Sequence, residues 1–185
     1  MSEIRAGMLL LASPELVDPN FADTVVLLLD ADEDGAMGVV LNRPSPVPVI
    51  SVLADWGDLV AEPEVLFRGG PVSPEGALAV ALVRDPDEVP VGLRPVTDRL
   101  ALVDLDGEVT ELDAAIDGVR IFAGYAGWGA GQLEGEVERD DWFVEPAGPD
   151  DAFTEAPDEL WAEVLRRKGG IYELVSRIPE DPSVN

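Results

Sequence analysis

Apolar residues in this chain gather in short runs closed by proline, glycine or acidic turns, a pattern that predicts strands more often than helices. Gly7 to Ala12 is a strand that stops at Ser13-Pro14, and Asp18-Pro19-Asn20 continues the turn. Thr24-Val25-Val26-Leu27-Leu28-Leu29 shows no polar alternation, as expected of a strand covered on both faces. Gly38-Val39-Val40-Leu41, closed by Asn42-Arg43-Pro44, forms a hairpin with it across a short acidic loop. Val49 to Trp56 places apolar residues on one helical face before Gly57 and predicts a short amphipathic helix. Val65-Leu66-Phe67 is a strand running into Arg68-Gly69-Gly70-Pro71-Val72-Ser73-Pro74, and Ala77 to Val83 is another. Asp85 to Pro95 reads as a surface loop, Leu100 to Leu105 as a strand, and Asp106-Gly107 as a hairpin-type turn. Val109 to Ile116 fits helix and strand equally.

Val119 to Ala123 leads into Gly124-Tyr125-Ala126-Gly127-Trp128-Gly129-Ala130-Gly131, which predicts a strand breaking into a glycine loop. Beyond it the periods conflict. Leu133 and Val137 are spaced as on a helix, whereas Glu134, Glu136 and Glu138 alternate as in a strand. The last clear element begins near Pro157, with Leu160, Trp161, Val164 and Leu165 on one helical face and Arg166-Arg167-Lys168 ahead of Gly169-Gly170. Cations in a last turn followed by glycine are what helix termination requires, so this basic cluster is read as a cap in preference to a nucleic-acid contact.

Composition narrows the chemistry. The 185 residues favour one domain spanning 1–185, with a core from about 5 to 178 and a flexible tail at 179–185. With no cysteine and no histidine, disulfides, thiolate catalysis, imidazole metal sites and the Ser-His-Asp arrangement are all excluded. No metal and no cofactor are expected. Lysine and arginine number 12 against 38 aspartates and glutamates, a net charge of −26 that repels phosphate backbones and anionic membranes. No run resembles a signal segment or membrane span, which predicts a cytoplasmic protein. Asp30-Ala31-Asp32-Glu33-Asp34-Gly35 matches the first half of a calcium-binding loop, but Leu41 stands where the bidentate glutamate belongs and the flanks read as strands. A solvated hairpin turn is the preferred reading.

Several blocks together resemble one family. Gly7 to Pro14, Asp18-Pro19-Asn20-Phe21, Gly35 to Pro44, Gly69-Gly70-Pro71-Val72, and Gly124 to Trp128 through Gly131-Gln132-Leu133-Glu134 are similar to the AlgH/YqgE family of bacterial proteins, in family order. The resemblance implies a mixed α/β fold with a bifurcated sheet, a small closed barrel and surrounding helices, and a helix from Gln132 to about Arg139. It also implies a transcriptional-regulator label that does not require direct DNA contact. The chain departs from the family pattern at Asp23, often basic, and at Asp30-Ala31, near which a histidine is common.

The sharpest site expectation combines the two glycine junctions. Arg43 and Arg68 sit at strand ends beside proline or glycine, where both guanidiniums can reach one cleft, and a helix starting at Gln132 would add backbone N–H groups. Gly69, Gly70, Ser73, Tyr125, Gly127, Trp128, Gln132 and Glu134 complete this candidate anion site. The absence of both phosphate-loop glycine patterns opposes it, and arginines pairing with the abundant carboxylates are the simpler account. Three functions follow. A regulatory protein that recognises a protein partner or small anionic ligand is preferred, and exposed Trp56 or Trp128 would support it. An enzyme using Arg43 and Arg68 as clamps, Glu134 as acid/base and Tyr125 or Ser73 as donor is second. Direct DNA binding through Arg166, Arg167 and Lys168 is third.

Overall fold

The computed structural model describes residues 4–106 and 112–177. Residues 107–111, on which the Asp106-Gly107 turn and much of the Val109 to Ile116 segment depend, lie outside it, as does the tail 179–185. Among the described residues ten strands run in chain order: β1 Met8–Ala12, β2 Val25–Asp32, β3 Gly35–Val40, β4 Pro44–Pro48, β5 Val65–Arg68, β6 Val72–Val83, β7 Leu93–Pro95, β8 Leu100–Val103, β9 Ile116–Gly129 and β10 Trp142–Pro146. Three short helices follow the long ninth strand: α1 Gln132–Glu138, α2 Leu160–Lys168 and α3 Ile171–Val175.

The sheet order is β10-β1-β2-β3-β9-β6-β8-β7, with β5 lying parallel to β9 and β4 pairing β5. β9 is where the sheet forks. Its first part pairs β6 from Ile116 to Ala123, while its last residues, Ala126 to Gly129, pair β3. The fold is the mixed α+β, strand-dominated architecture that the resemblance implied. Its barrel-like part is a curl: no pairing joins β7 to β10 among the described residues.

Burial explains the uninterrupted apolar runs. On β1, Leu9 and Leu11 face the main core, while Met8, Leu10 and Ala12 face a second core on the opposite side. On β2, Val25, Leu27 and Leu29 face the first, and Val26 and Leu28 the second. Both strands are therefore covered on both faces. β6 and β9 repeat the arrangement, with Val80 and Phe122 in the main core and Ala79, Ala81, Val119 and Ile121 in a third.

Two sequence expectations are corrected. Val49 to Trp56 forms two 3-10 turns, Val49–Ser51 and Ala54–Trp56, because Val49 and Trp56 point into the third core while Ile50 and Val52 stay in water. The glycine motif from Gly124 to Gly129 is the second half of β9, held in strand form by β3. Gln132–Glu138 is helical, which resolves the conflicting periods in favour of the helix. At the end of α2, Gly169 adopts φ +79° and its N–H donates to Leu165 O at 3.2 Å, the expected glycine stop.

β9 also carries a buried cation. Arg120 is 1% exposed and donates to Ala152 O at 3.0 Å, Thr154 O at 2.9 Å and Glu62 O at 2.6 Å. Its guanidinium lies 4.4 Å from the centre of the Phe67 ring. Burial pushes its pKa down to about 10, with Glu155 opposing, so the side chain is fully cationic at neutral pH.

Candidate functional site

The site is built from the turn after β1 and the ends of β3 and β5. In the turn, Phe21 and Ala22 N–H groups both donate to Asp18 O, and Asn20 N–H donates to the Asp18 carboxylate at 2.9 Å. Asn42 then straps this turn to the sheet, accepting from Val25 N–H at 3.0 Å and donating to Asp23 O at 2.9 Å. Arg43 follows and donates to Asn20 O at 2.7 Å and Ala22 O at 3.1 Å, so its position is set by the carbonyls of the same turn.

Arg68 arrives from β5. Its N–H donates to Arg43 O at 2.8 Å, which places the end of β5 beside Arg43, the residue just before β4. Gly69 O then accepts from Val40 N–H at 2.8 Å, and Gly69 N–H donates to Ala123 O at 2.9 Å. These bonds draw Gly69-Gly70 down onto Gly124-Tyr125 of β9. A Cβ on Gly69 would overlap Gly124 O, and one on Gly70 would overlap the Tyr125 carbonyl. The two glycine junctions do meet, through close backbone packing.

Above that seam lies a cleft of about 290 Å³ lined by Asn20, Val40, Arg43, Arg68, Gly70 and Pro71. Arg68 is exposed and makes no side-chain hydrogen bond or ion pair among the described residues. Burial lowers the pKa of Arg43, the adjacent Arg68 charge acts in the same direction, and Asp23 and Asp18 oppose them. Asp23, one of the departures from the family pattern, thus acts on Arg43 through its charge, from a backbone at φ +57°. Two like charges held together are a local potential to which an anion is attracted.

The other expected residues lie elsewhere. Gly69 forms the floor behind the lining. Ser73 is exposed on the first part of β6 with φ +46° and does not line the cleft. Tyr125 passes its backbone beneath Gly70 and packs its half-buried side chain against the main core. Gly127 pairs Met37 across the β3–β9 ladder. Gln132 accepts from Gly129 N–H at 3.0 Å and donates to Glu136 at 3.1 Å, closing the strand-to-helix corner. Glu134 is exposed at the start of α1, so the burial that an acid/base role requires is missing. Asn20 is the lining residue that sequence reasoning passed over, since its turn shows no sign of an arginine arriving from 23 positions away.

Trp56 and Trp128 are 3% and 6% exposed, so neither offers the surface aromatic that would have favoured a docking face. Trp128 belongs instead to a cluster with Phe21 and Trp142, whose ring centres lie 5.6 to 6.1 Å apart. Both indole N–H groups donate to one Glu136 oxygen, at 3.1 and 3.0 Å. Phe21 anchors the turn that holds Arg43, so this cluster supports the cleft from behind. Replacing Glu136 by alanine leaves two indole donors without an acceptor and is expected to cost about 2–3 kcal/mol. Urea unfolding followed by tryptophan fluorescence checks this, with Glu136→Gln retaining most of the stability because its amide oxygen still accepts.

The basic cluster at the end of α2 is largely committed inside the molecule. Arg167 makes two 2.9 Å bonds to Asp151, and Lys168 donates to Val144 O at 2.9 Å and Glu145 at 3.4 Å. Arg166 alone faces solvent without a side-chain partner among the described residues. No helix among the described residues is long and apolar enough to cross a membrane.

The chain as a whole is similar to known proteins. The profile of a family described as AlgH-like matches residues 9–173. A UPF0301 protein of Streptomyces coelicolor is 50% identical over 190 aligned residues, covering 100% of this chain and 98% of its own. One from Mycobacterium tuberculosis is 48% identical over 185, covering 98% and 91%. Among solved structures, a crystal structure of a protein from Corynebacterium diphtheriae superposes with a TM-score of 0.91 at 33% identity, covering 96% of this chain and 94% of that one. The solution structure of the AlgH protein from Pseudomonas aeruginosa gives 0.68 at 30%, covering 97% and 98%.

Proposed function

This chain belongs to the AlgH-like family, and on that premise we propose that it is a regulatory binding protein whose Arg43–Arg68 cleft holds a small carboxylate or phosphate. Occupancy of the cleft is read out by a protein partner, and any effect on transcription is indirect. What supports the reading is one observation: Arg43, from the link between β3 and β4, and Arg68, from the end of β5, line one cleft, and Arg68 stays unpaired among the described residues of a chain holding 38 carboxylates. An arginine that needed only a salt bridge would find one here. A planar guanidinium fork with free donors matches a carboxylate or phosphate, which charge-assisted bonds would hold.

Binding is favoured over turnover because the lining of Asn20, Val40, Arg43, Arg68, Gly70 and Pro71 supplies no general acid, base or nucleophile. Direct DNA contact is disfavoured by the −26 charge and by the internal pairing of Arg167 and Lys168.

Thermal unfolding against a panel of inorganic phosphate, pyrophosphate, dicarboxylates and nucleotides tests the proposal, repeated on Arg68→Ala. A ligand at about 100 times its Kd adds about 2.7 kcal/mol to the folded state. A stabilisation that disappears in Arg68→Ala is expected. A flat panel, or one that stabilises both proteins equally, removes the cleft as a ligand site.

A further inference from the structure

A second cleft lies on another face, between α3 and the end of β1, and encloses about 410 Å³. Its walls are Pro14, Phe143, Ile171, Tyr172 and Val175. Phe143 and Tyr172 meet edge to face, with ring centres 5.0 Å apart, and make a firm apolar floor. The α3 wall is less committed. Ile171 is 69% exposed, and Leu174, nearly one turn along the same helix, is 63% exposed. Large aliphatic side chains left in water beside an apolar groove mark an interaction site. α3 is joined to α2 through Gly169 and Gly170 with φ +79° and +60°, a connection that lets the helix adjust to an occupant.

Charge identifies the occupant. The rim carries Glu15 and Asp140, whose carboxylates make no hydrogen bond or ion pair among the described residues. Ser13, 4% exposed and with a hydroxyl that has no partner among the described residues, also borders the groove. Acids at the mouth of an apolar groove, on a chain of net charge −26, repel a second copy of this chain and favour a cationic guest. We propose that this groove docks a short basic amphipathic segment of a partner protein, its apolar residues against Phe143, Tyr172 and Ile171 and its lysines or arginines toward Glu15 and Asp140. An amphipathic helix laid in a groove is the matching recognition mode.

Selection of a random displayed-peptide library against the full chain tests this, with counter-selection against the double variant Ile171→Glu, Leu174→Glu. Both side chains are exposed, so the variant retains the fold. Enriched peptides are expected to combine Leu, Phe or Trp at helical spacing with flanking Lys or Arg. They should lose about tenfold or more in affinity on the double variant, as removal of interface anchors does. Glu15→Gln with Asp140→Asn should weaken them most at low salt, the deficit shrinking as salt screens the parent's rim charges. Peptides without basic bias, peptides that bind parent and double variant alike, or no enrichment overturn the proposal. A parent dimer that the double variant dissolves would make a second copy the occupant and also overturn it.

Discussion

Replacing Arg120 by leucine is expected to lower the unfolding free energy by about 3–5 kcal/mol, the cost of breaking a buried charged contact from one side. Leucine fills part of the volume but leaves Glu62 O, Ala152 O and Thr154 O without their donor. Those acceptors are backbone, so no second substitution can remove them, and buried carbonyls without partners carry the full desolvation cost. The effect is structural. Arg120 ties the segment before β5 and the loop before α2 to the centre of β9, and it sits over the Phe67 ring one residue from Arg68. Because burial holds its folded-state pKa at about 10, below the ordinary arginine value, the buried charge costs stability below about pH 10, and that cost fades only as pH rises above it. Between pH 6 and 8 this group contributes no slope. Chemical denaturation at neutral pH should therefore show the full loss in Arg120→Leu. Arg166→Leu, at an exposed and unpartnered position, should stay within about 0.5 kcal/mol of the parent.

Gly124→Ala is expected to cost about 2–4 kcal/mol, from strain and overpacking together. Gly124 has φ +80°, and a Cβ there would lie 2.5 Å from Gly70 O and 3.1 Å from Val72 O. Both neighbours are backbone, so relief requires the Gly69-Gly70 segment to lift off β9, which would carry Arg68 away from Arg43. The same substitution at Gly127 is the control. There the nearest atom to a new Cβ is the tip of the Tyr125 ring at 3.7 Å, an ordinary contact. Gly127→Ala should leave stability unchanged or raise it by a few tenths to 1 kcal/mol through the unfolded chain. Thermal unfolding of both variants, three residues apart in one motif, separates a glycine required by the seam from one that is not.

That contrast shows what the sequence could convey. The glycine motif was conspicuous, but its form was misjudged. Glycines were read as a loop because they permit one, whereas Gly124 is required by a neighbouring backbone from Gly70 that no local pattern announces. β1, β2 and β3 were legible because they are buried on both faces, which leaves uninterrupted apolar runs. β10 was missed because Trp142-Phe143-Val144 is a short apolar run between acids, and its partner β1 lies some 130 residues away in the chain. Ile50 and Val52 suggested a helical face, yet they remain in water while Val49 and Trp56 fill the core. For the cleft, the convergence of Arg43 and Arg68 was readable from their places at strand ends. The exclusion of Gln132, Glu134 and Ser73 was not, since it depends on where the fork in β9 sends the chain.

The measurement that tests the cleft most directly follows the arginine side-chain Nε–H signals by heteronuclear NMR while phosphate, pyrophosphate and succinate are titrated in turn. Occupancy of the cleft predicts saturable shifts of the Arg68 and Arg43 signals with at least one of these anions, while Arg166, exposed but remote in sequence from the cleft, stays in place. Arg166 moving in step with Arg68, or Arg68 remaining unmoved by all three, would contradict an anion site and reduce the paired arginines to a feature of the fold.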